Sequence, residues 1–153
     1  VATETTNPIV SLAIKLATKA HAGQMDKSGR PYLGHLERTA AKVRFSGGTW
    51  VQEAAAWLHD SIEDTDLTTR QLLKDGIPFS VIRIVEAMTH EPGVTNEIYW
   101  TRVRQEPTAV LVKLCDIYDN LDPARMCYID EDKQRRLRVK YARAIMTLMG
   151  VEA

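Results

Sequence analysis

The chain has 153 residues, 44% of them apolar and 26% charged, which suits one domain with a core of its own and ordinary globular composition. Twenty basic residues balance twenty acidic ones, so no global field draws the protein to nucleic acid or to a membrane surface. An anionic ligand must therefore meet a local cluster of positive charge. No apolar run has the length of a spanning helix, and the polar stretch Thr3 to Asn7 lacks the regions of a signal peptide, so a cytoplasmic location is expected.

Apolar residues recur at helical spacing along nearly the whole chain, and strand-like alternation is hard to find. Val10, Ala13, Ile14 and Ala17 form a first stripe, opened by Asn7-Pro8, where Asn can cap and Pro can take the first helical position. A loop with glycine and lysine follows from Gly23 to Gly34. A second helix is expected from Leu36 to Arg44, stopped by Ser46-Gly47-Gly48. Trp50 to Ile62 reads as a third, with Ala54, Ala55, Trp57 and Leu58 on its buried side. Thr68–Lys74, Phe79–Thr89, Glu97–Arg104 and Thr108–Leu121 come next, punctuated by Asp75-Gly76, Pro92-Gly93 and Pro107. The last long helix runs from Glu131 to Leu148 with Leu137, Tyr141, Ala144, Ile145 and Leu148 on one side. Without repeat, linker or low-complexity segment, the expectation is an all-α helical bundle in a single domain covering residues 1–153. Cys115 falls within an apolar stripe and Cys127 stands twelve residues on, which predicts reduced thiols and a packing role for Cys115.

Chemistry concentrates in two helices. His59-Asp60 sits among core residues, where an imidazole and a carboxylate are costly to bury unless something pairs with them. A divalent cation would satisfy both. Asp116 similarly interrupts an apolar run, and Lys113, Asp116 and Asn120, at i, i+3 and i+7, make a polar seam on a helix otherwise buried. Taken singly, each of these residues fits a structural role as well as a ligand role. His21 reads as a helix-end packing residue, and His90 as a C-terminal capping histidine. Arg102, Arg104 and the basic series Lys133, Arg135, Arg136, Arg138, Lys140 and Arg143 fit a solvated surface, with a phosphate-bearing cleft or a subunit contact as the alternative.

The ordered segments His21-Ala22-Gly23-Gln24, Lys27-Ser28-Gly29, Pro31-Tyr32, His35, Trp57 to Thr65, and Val112 to Asp116 with Asn120-Leu121 resemble the HD hydrolases. More narrowly, they are similar to the alarmone (guanosine tetra- and pentaphosphate) pyrophosphohydrolases. The resemblance covers roughly residues 10 to 125. It implies an HD-type bundle with His35, His59, Asp60 and Asp116 as ligands of a divalent metal, usually manganese. Two imidazoles and two carboxylates suit Mn, Fe or Zn better than Ca, and a bound cation acidifies water, the nucleophile that phosphate-ester hydrolysis requires.

The same resemblance implies Glu63 and Asp64 as the acidic pair that orients or deprotonates the attacking water, one helical turn beyond His59 and Asp60. Lys27, Ser28 and Asn120 are implied as substrate contacts. The expected substrate is a small nucleotide, with (p)ppGpp losing its 3′-pyrophosphate as the leading reading. An HD phosphohydrolase acting on another nucleotide, and a non-catalytic domain that senses a nucleotide, are the alternatives. Self-association into a homo-oligomer is left open. Three departures bear on the nucleoside end: Asp26 stands where the family usually has a basic residue, Arg30 where it tends to have an acidic one, and Leu121 to Arg125 differ from the usual pattern.

Overall fold

The computed structural model describes residues 7–151, so the polar opening before Asn7 lies outside the described residues. Ten helices follow one another: α1 (Pro8–Ala20), α2 (Leu33–Phe45), α3 (Trp50–Leu58), α4 (Ser61–Asp64), α5 (Thr69–Lys74), α6 (Phe79–Met88), α7 (Asn96–Gln105), α8 (Pro107–Asn120), α9 (Pro123–Met126) and α10 (Glu131–Met149). Among the described residues the one β-type pairing is an isolated bridge between Met25 and Pro31. The expected all-helical architecture is thus the observed one.

Local chemistry sets most of the starts. The Asn7 side chain accepts from the Ile9 N–H ahead of Pro8. Thr49 and Gln52 form a reciprocal capping box on α3, Thr95 caps α7 and Asp130 caps α10, each satisfying N–H groups that have no partner inside the helix. Gly150 closes α10 in the left-handed conformation, φ 72°.

The organising element is α3, which packs against α1, α2, α6 and α8. Ala54, Ala55, Ala56 and Leu58 are wholly buried. Three successive alanines leave little side chain on that helix, so neighbouring helices approach closely from several sides. On one flank α2 lies against both α3 and α8, and on the other α7 joins α8 to α10. This brings the carboxyl end of α3, the amino half of α2 and the carboxyl half of α8 to one place. Cys115 is buried, as its stripe predicted, and Cys127 is exposed.

The expected third helix differs from the observed one in a way that matters. Instead of continuing to Ile62, α3 ends at Leu58, His59 and Asp60 form a turn, and α4 restarts at Ser61. The turn stays close to helical backbone, and the Asp64 N–H still reaches the Asp60 carbonyl at 2.9 Å, so the one-turn offset between the two pairs survives. α9, carved from the segment after Asn120, was not foreseen, and α2 begins at Leu33 rather than Leu36.

Gly48 returns its N–H to the Val43 carbonyl at 2.9 Å just after α2. A Cβ placed on it would stand 2.5 Å from Val43 Cγ1, 2.8 Å from the Val43 carbonyl oxygen and 3.2 Å from Leu111 Cδ2. Two of these are side chains at the junction of α2 with α8. The Gly48→Ala variant is expected to lose about 1–3 kcal/mol of stability through this overpacking. Thermal denaturation checks it, and an unchanged midpoint would show that the junction yields freely.

Candidate active site

His35 projects from the first turn of α2, His59 and Asp60 from the turn after α3, and Asp116 from the carboxyl half of α8. His35 Nε2 lies 3.1 Å from Asp116 Oδ1 and 3.8 Å from Asp60 Oδ2. His59 Nε2 lies 2.9 Å from Asp60 Oδ2 and 3.5 Å from Asp116 Oδ1. Four residues from three places in the chain therefore converge on one point, three of them nearly sealed from solvent.

Each imidazole is oriented through its other nitrogen. His59 Nδ1 lies 2.7 Å from the Ala56 carbonyl, and His35 Nδ1 lies 2.7 Å from Asp119 Oδ2. A carbonyl and a carboxylate can only accept, so both Nδ1 atoms donate, and both Nε2 atoms face the centre. His59 Nε2 is buried without a hydrogen-bond partner, although two carboxylate oxygens stand nearby. Two inward nitrogens set among two carboxylates suit a divalent cation, and the N/O donor set fits one of borderline character.

The electrostatics carry the same signature. Burial would lower the His59 imidazole, but the Asp60 and Asp116 carboxylates outweigh it and hold it well above the usual histidine range. His35 rises for the same reason, through Asp116 and Asp119. Against the opposing effect of burial, Lys113 beside Asp116 keeps that carboxyl well below its ordinary range, and His59 draws Asp60 down to about 2. The site thus holds its carboxylates ionised and attracts positive charge, which is what a cation site must do.

Around the four donors lies a second layer. Tyr32 donates its hydroxyl to Asp60 Oδ2. Lys113 Nζ donates to Asp116 Oδ2 at 2.7 Å and Asn120 Nδ2 to Asp116 Oδ1 at 2.8 Å, so the polar seam of α8 holds the Asp116 carboxylate from both sides. Asp119, wholly buried, accepts from Arg38 Nε at 2.9 Å, Lys42 Nζ at 2.8 Å and Arg125 Nη1 at 2.7 Å besides His35. Sequence reasoning missed Asp119 because it stands between Tyr118 and Asn120 at an apparently solvated helix end. The signal that could have found it is His35, Arg38 and Lys42 at i, i+3 and i+7, which share one face of α2 and together call for an acid from another helix.

A cavity of about 390 Å³ opens over the donors. Asp60, Glu63, Asp64 and Asp116 line it together with Lys27, Lys113, Asn120, Arg125 and Lys140. Although Asp64 is exposed, its partial desolvation at the cavity wall, with the charges of Asp60 and Glu63 beside it, pushes its carboxyl above the ordinary carboxylate range. That raises its basicity toward what proton transfer near neutral pH requires. Glu63 Oε2 accepts from the His90 N–H at 2.9 Å. His90 itself is no helix cap. Its Nε2 lies 2.7 Å from the Val94 carbonyl, its ring stacks on Tyr99, and it lines the cavity. His21 is buried, stacks on Tyr32 and holds Gln24 at 2.7 Å, consistent with its packing role.

The expected substrate residues divide. Lys27 and Asn120 line the main cavity, whereas Ser28 lines a small adjoining one and donates its hydroxyl to Asp26 Oδ1 at 2.6 Å. Asp26 also accepts from the Ser28 and Arg30 N–H groups at 2.8 and 3.1 Å, closing the loop on itself, and its Oδ2 meets Arg125 Nη2 at 3.2 Å. Arg30 donates to the Tyr128 hydroxyl at 3.0 Å and lies over that ring. The three departures noted in the sequence are therefore one feature: the loop and the α9 segment have complementary residues and are tied together. Arg102 is spent on the Thr89 carbonyl and Glu91, outside this cavity.

This donor set, over an acidic pair and within a helical bundle, defines a metal-dependent phosphohydrolase. The chain belongs to the HD-domain family, whose model, described as "HD domain", matches residues 13–144. It is 29% identical over 147 residues to the zebrafish guanosine-3′,5′-bis(diphosphate) 3′-pyrophosphohydrolase MESH1, covering 90% of this chain and 81% of that protein. It is 39% identical over 154 residues to a putative chloroplastic GTP diphosphokinase RSH1 of rice, and 28% identical over 136 residues to the guanosine-3′,5′-bis(diphosphate) 3′-pyrophosphohydrolase of Aquifex aeolicus. Those two matches span only 16% and 19% of the longer relatives. In fold the chain matches a solved structure described as "A metazoan ortholog of SpoT hydrolyzes ppGpp and plays a role in starvation responses", with a TM-score of 0.77, 21% identity and 96% and 89% of the two chains covered.

Because Asp119 fixes His35, the Asp119→Ala variant is expected to weaken divalent-metal affinity about 10–100-fold. Titration of metal-stripped protein with Mn²⁺ checks this, and wild-type affinity in the variant would show that Asp119 serves only to tie α2 to α8.

Proposed function

We propose that this protein hydrolyses the 3′-pyrophosphate of guanosine 3′,5′-bis(diphosphate), and of its pentaphosphate relative, releasing pyrophosphate. The observation that carries the reading is the convergence of His35, His59, Asp60 and Asp116 at the floor of a cavity lined by Asp60, Asp116, the Glu63-Asp64 pair and unpaired Lys27. The names of the zebrafish and Aquifex relatives support the substrate.

In this reading the four donors hold a divalent cation, manganese by family resemblance. When bound, such an ion supplies Lewis-acid polarisation of a phosphoryl oxygen and acidifies water. Asp64 accepts a proton from the attacking water, its basicity raised by partial desolvation and by Asp60 and Glu63. Glu63, held by the His90 N–H, orients that water from the opposite oxygen. Attack at the phosphorus next to the ribose breaks its bond to O3′. The proton taken from water goes to O3′, so one water is consumed, pyrophosphate and GDP are formed, and Asp64 returns to its starting state. Lys113, already neutralised by Asp116, stiffens the site rather than meeting the substrate. Asn120 has its amide N–H₂ on Asp116 and its Oδ1 3.3 Å from Arg125, so it fixes the wall against which the nucleotide rests.

A second reading, hydrolysis of a different nucleotide, is favoured by one observation. With Asp26 spent on Ser28 and Arg125, the loop offers a base no cation at that position. Purified protein with Mn²⁺ is expected to release pyrophosphate from ppGpp. His59→Ala and Asp116→Ala should each abolish release, and Asp64→Asn should reduce kcat about 10²–10⁴-fold. Orthophosphate rather than pyrophosphate as product, or turnover of other nucleotides alone, would favour the second reading. Unchanged turnover in the variants would overturn both.

A further inference from the structure

One carboxylate organises the loop between α1 and α2. Asp26 Oδ1 accepts from the Ser28 hydroxyl and N–H at 2.6 and 2.8 Å and from the Arg30 N–H at 3.1 Å. The Asp26 N–H closes on the Arg30 carbonyl at 2.7 Å. These bonds are internal to the loop, so they set its shape and not its place. Its place comes from the other oxygen: Asp26 Oδ2 meets Arg125 Nη2 at 3.2 Å, with the Asp26 side chain only 3% exposed. Between these two acceptor roles sits Lys27, which lines the cavity and pairs with no carboxylate among the described residues.

Arg125 is fixed at its other end by a rigid acceptor. Its Nη1 donates to Asp119 Oδ2 at 2.7 Å. Asp119 is wholly buried, its Oδ1 taken by Arg38 and Lys42 and its Oδ2 shared with His35. The Arg125 Nε is buried without a partner, so the guanidinium works through its two terminal nitrogens, one on each carboxylate. That arrangement needs the fork of an arginine. A lysine ends in a single nitrogen on a flexible stem and is poorly suited to span two acids. A second tie between the same segments, from Arg30 to the Tyr128 hydroxyl, is exposed to solvent.

We propose that Arg125 is a positioning residue that sets Lys27 over the cavity, by tying the loop through Asp26 to Asp119, the carboxylate that also orients the metal ligand His35. The loop after α1 and the metal ligand on α2 are thus registered on one buried acid of α8. Lys27 acts here as a contact for the anionic ligand, which rests on the reading above. Asp26, where the family usually has a basic residue, then has a use of its own: it is the loop's anchor, and α9 supplies the cation. The two arms of Asp119 are separable. Loss of Asp119 releases His35 and the loop together, whereas loss of the Arg125 fork frees the loop alone, because Arg38 and Lys42 still hold Asp119.

Two mild variants test this. Arg125→Lys keeps the charge and loses the fork, and Asp26→Asn keeps an oxygen for the Ser28 and Arg30 N–H groups while losing the ion pair. Hydrogen exchange without any ligand reads the tie itself. The Ser28 and Arg30 amides should exchange about tenfold faster in each variant, the scale of a lost charge-assisted hydrogen bond, with α3 as protected as in wild type. Unchanged loop exchange, or an equal rise in α3, would overturn the proposal. Mn²⁺ affinity should stay close to wild type in both variants, and a loss like that expected for Asp119→Ala would move the effect to His35 and overturn it. Calorimetric titration of the Mn²⁺-loaded protein with GDP, which involves no turnover, reads the consequence for the ligand. Affinity should fall about tenfold in each variant, and in a Lys27→Ala background Arg125→Lys should cost nothing further. A full further loss in that background, or wild-type GDP affinity in Lys27→Ala, would overturn positioning through Lys27. Failure to hydrolyse ppGpp with the rest of this pattern intact would overturn the reaction and leave the tie standing.

Discussion

Two hydrogen bonds, each to the Nδ1 of a buried histidine, fix the geometry on which the site depends. The Ala56 carbonyl accepts from the His59 Nδ1–H and the Asp119 carboxylate from the His35 Nδ1–H, both at 2.7 Å. Neither acceptor can donate, so both Nε2 atoms face Asp60 and Asp116. Removed from water, such a group of nitrogens and carboxylates is costly on its own and requires a positive partner. Much of the surrounding structure serves to hold it: the halt of α3 at Leu58, the alanines that let α3 approach its neighbours, and the four-way grip on Asp119 by His35, Arg38, Lys42 and Arg125.

The layering around that centre explains how one cavity can serve two demands. Anionic oxygens close to the donors favour a cation, whereas a nucleotide phosphate requires positive charge. Both kinds of group line the one cavity. Lys113 and Arg125 are neutralised where they stand and work as struts, while Lys27 and Lys140 pair with no carboxylate among the described residues. A formal net charge of zero for the whole chain is compatible with this because the fields are local. The Asp26–Arg125 tie joins the two regions, for Arg125 touches Asp119 behind His35 and also the loop that carries Lys27.

Much of this was legible in the sequence. Helical periodicity gave the all-helical architecture, and the seam of Lys113, Asp116 and Asn120 lies as its spacing indicated, with both neighbours bonded to Asp116. Adjacent His59 and Asp60 within an alanine-rich core stretch pointed to a partner for both. His35 could be joined to them only by resemblance, because it comes from a separate helix. What stayed hidden depended on contacts distant in sequence. Asp119 is held by residues 77 to 84 positions away in the chain and by Arg125 of a short α9 with no periodicity of its own. The break between α3 and α4 was missed because the backbone at His59 and Asp60 departs only slightly from helical values.

The most direct test of the account is a crystal structure of the Mn²⁺-soaked protein with anomalous diffraction recorded at the manganese edge. The account predicts one strong peak, at bonding distance from His35 Nε2, His59 Nε2 and carboxylate oxygens of Asp60 and Asp116, with both Nδ1 bonds retained. A peak elsewhere, or a centre without metal in which the imidazoles turn to bond the carboxylates directly, would contradict it.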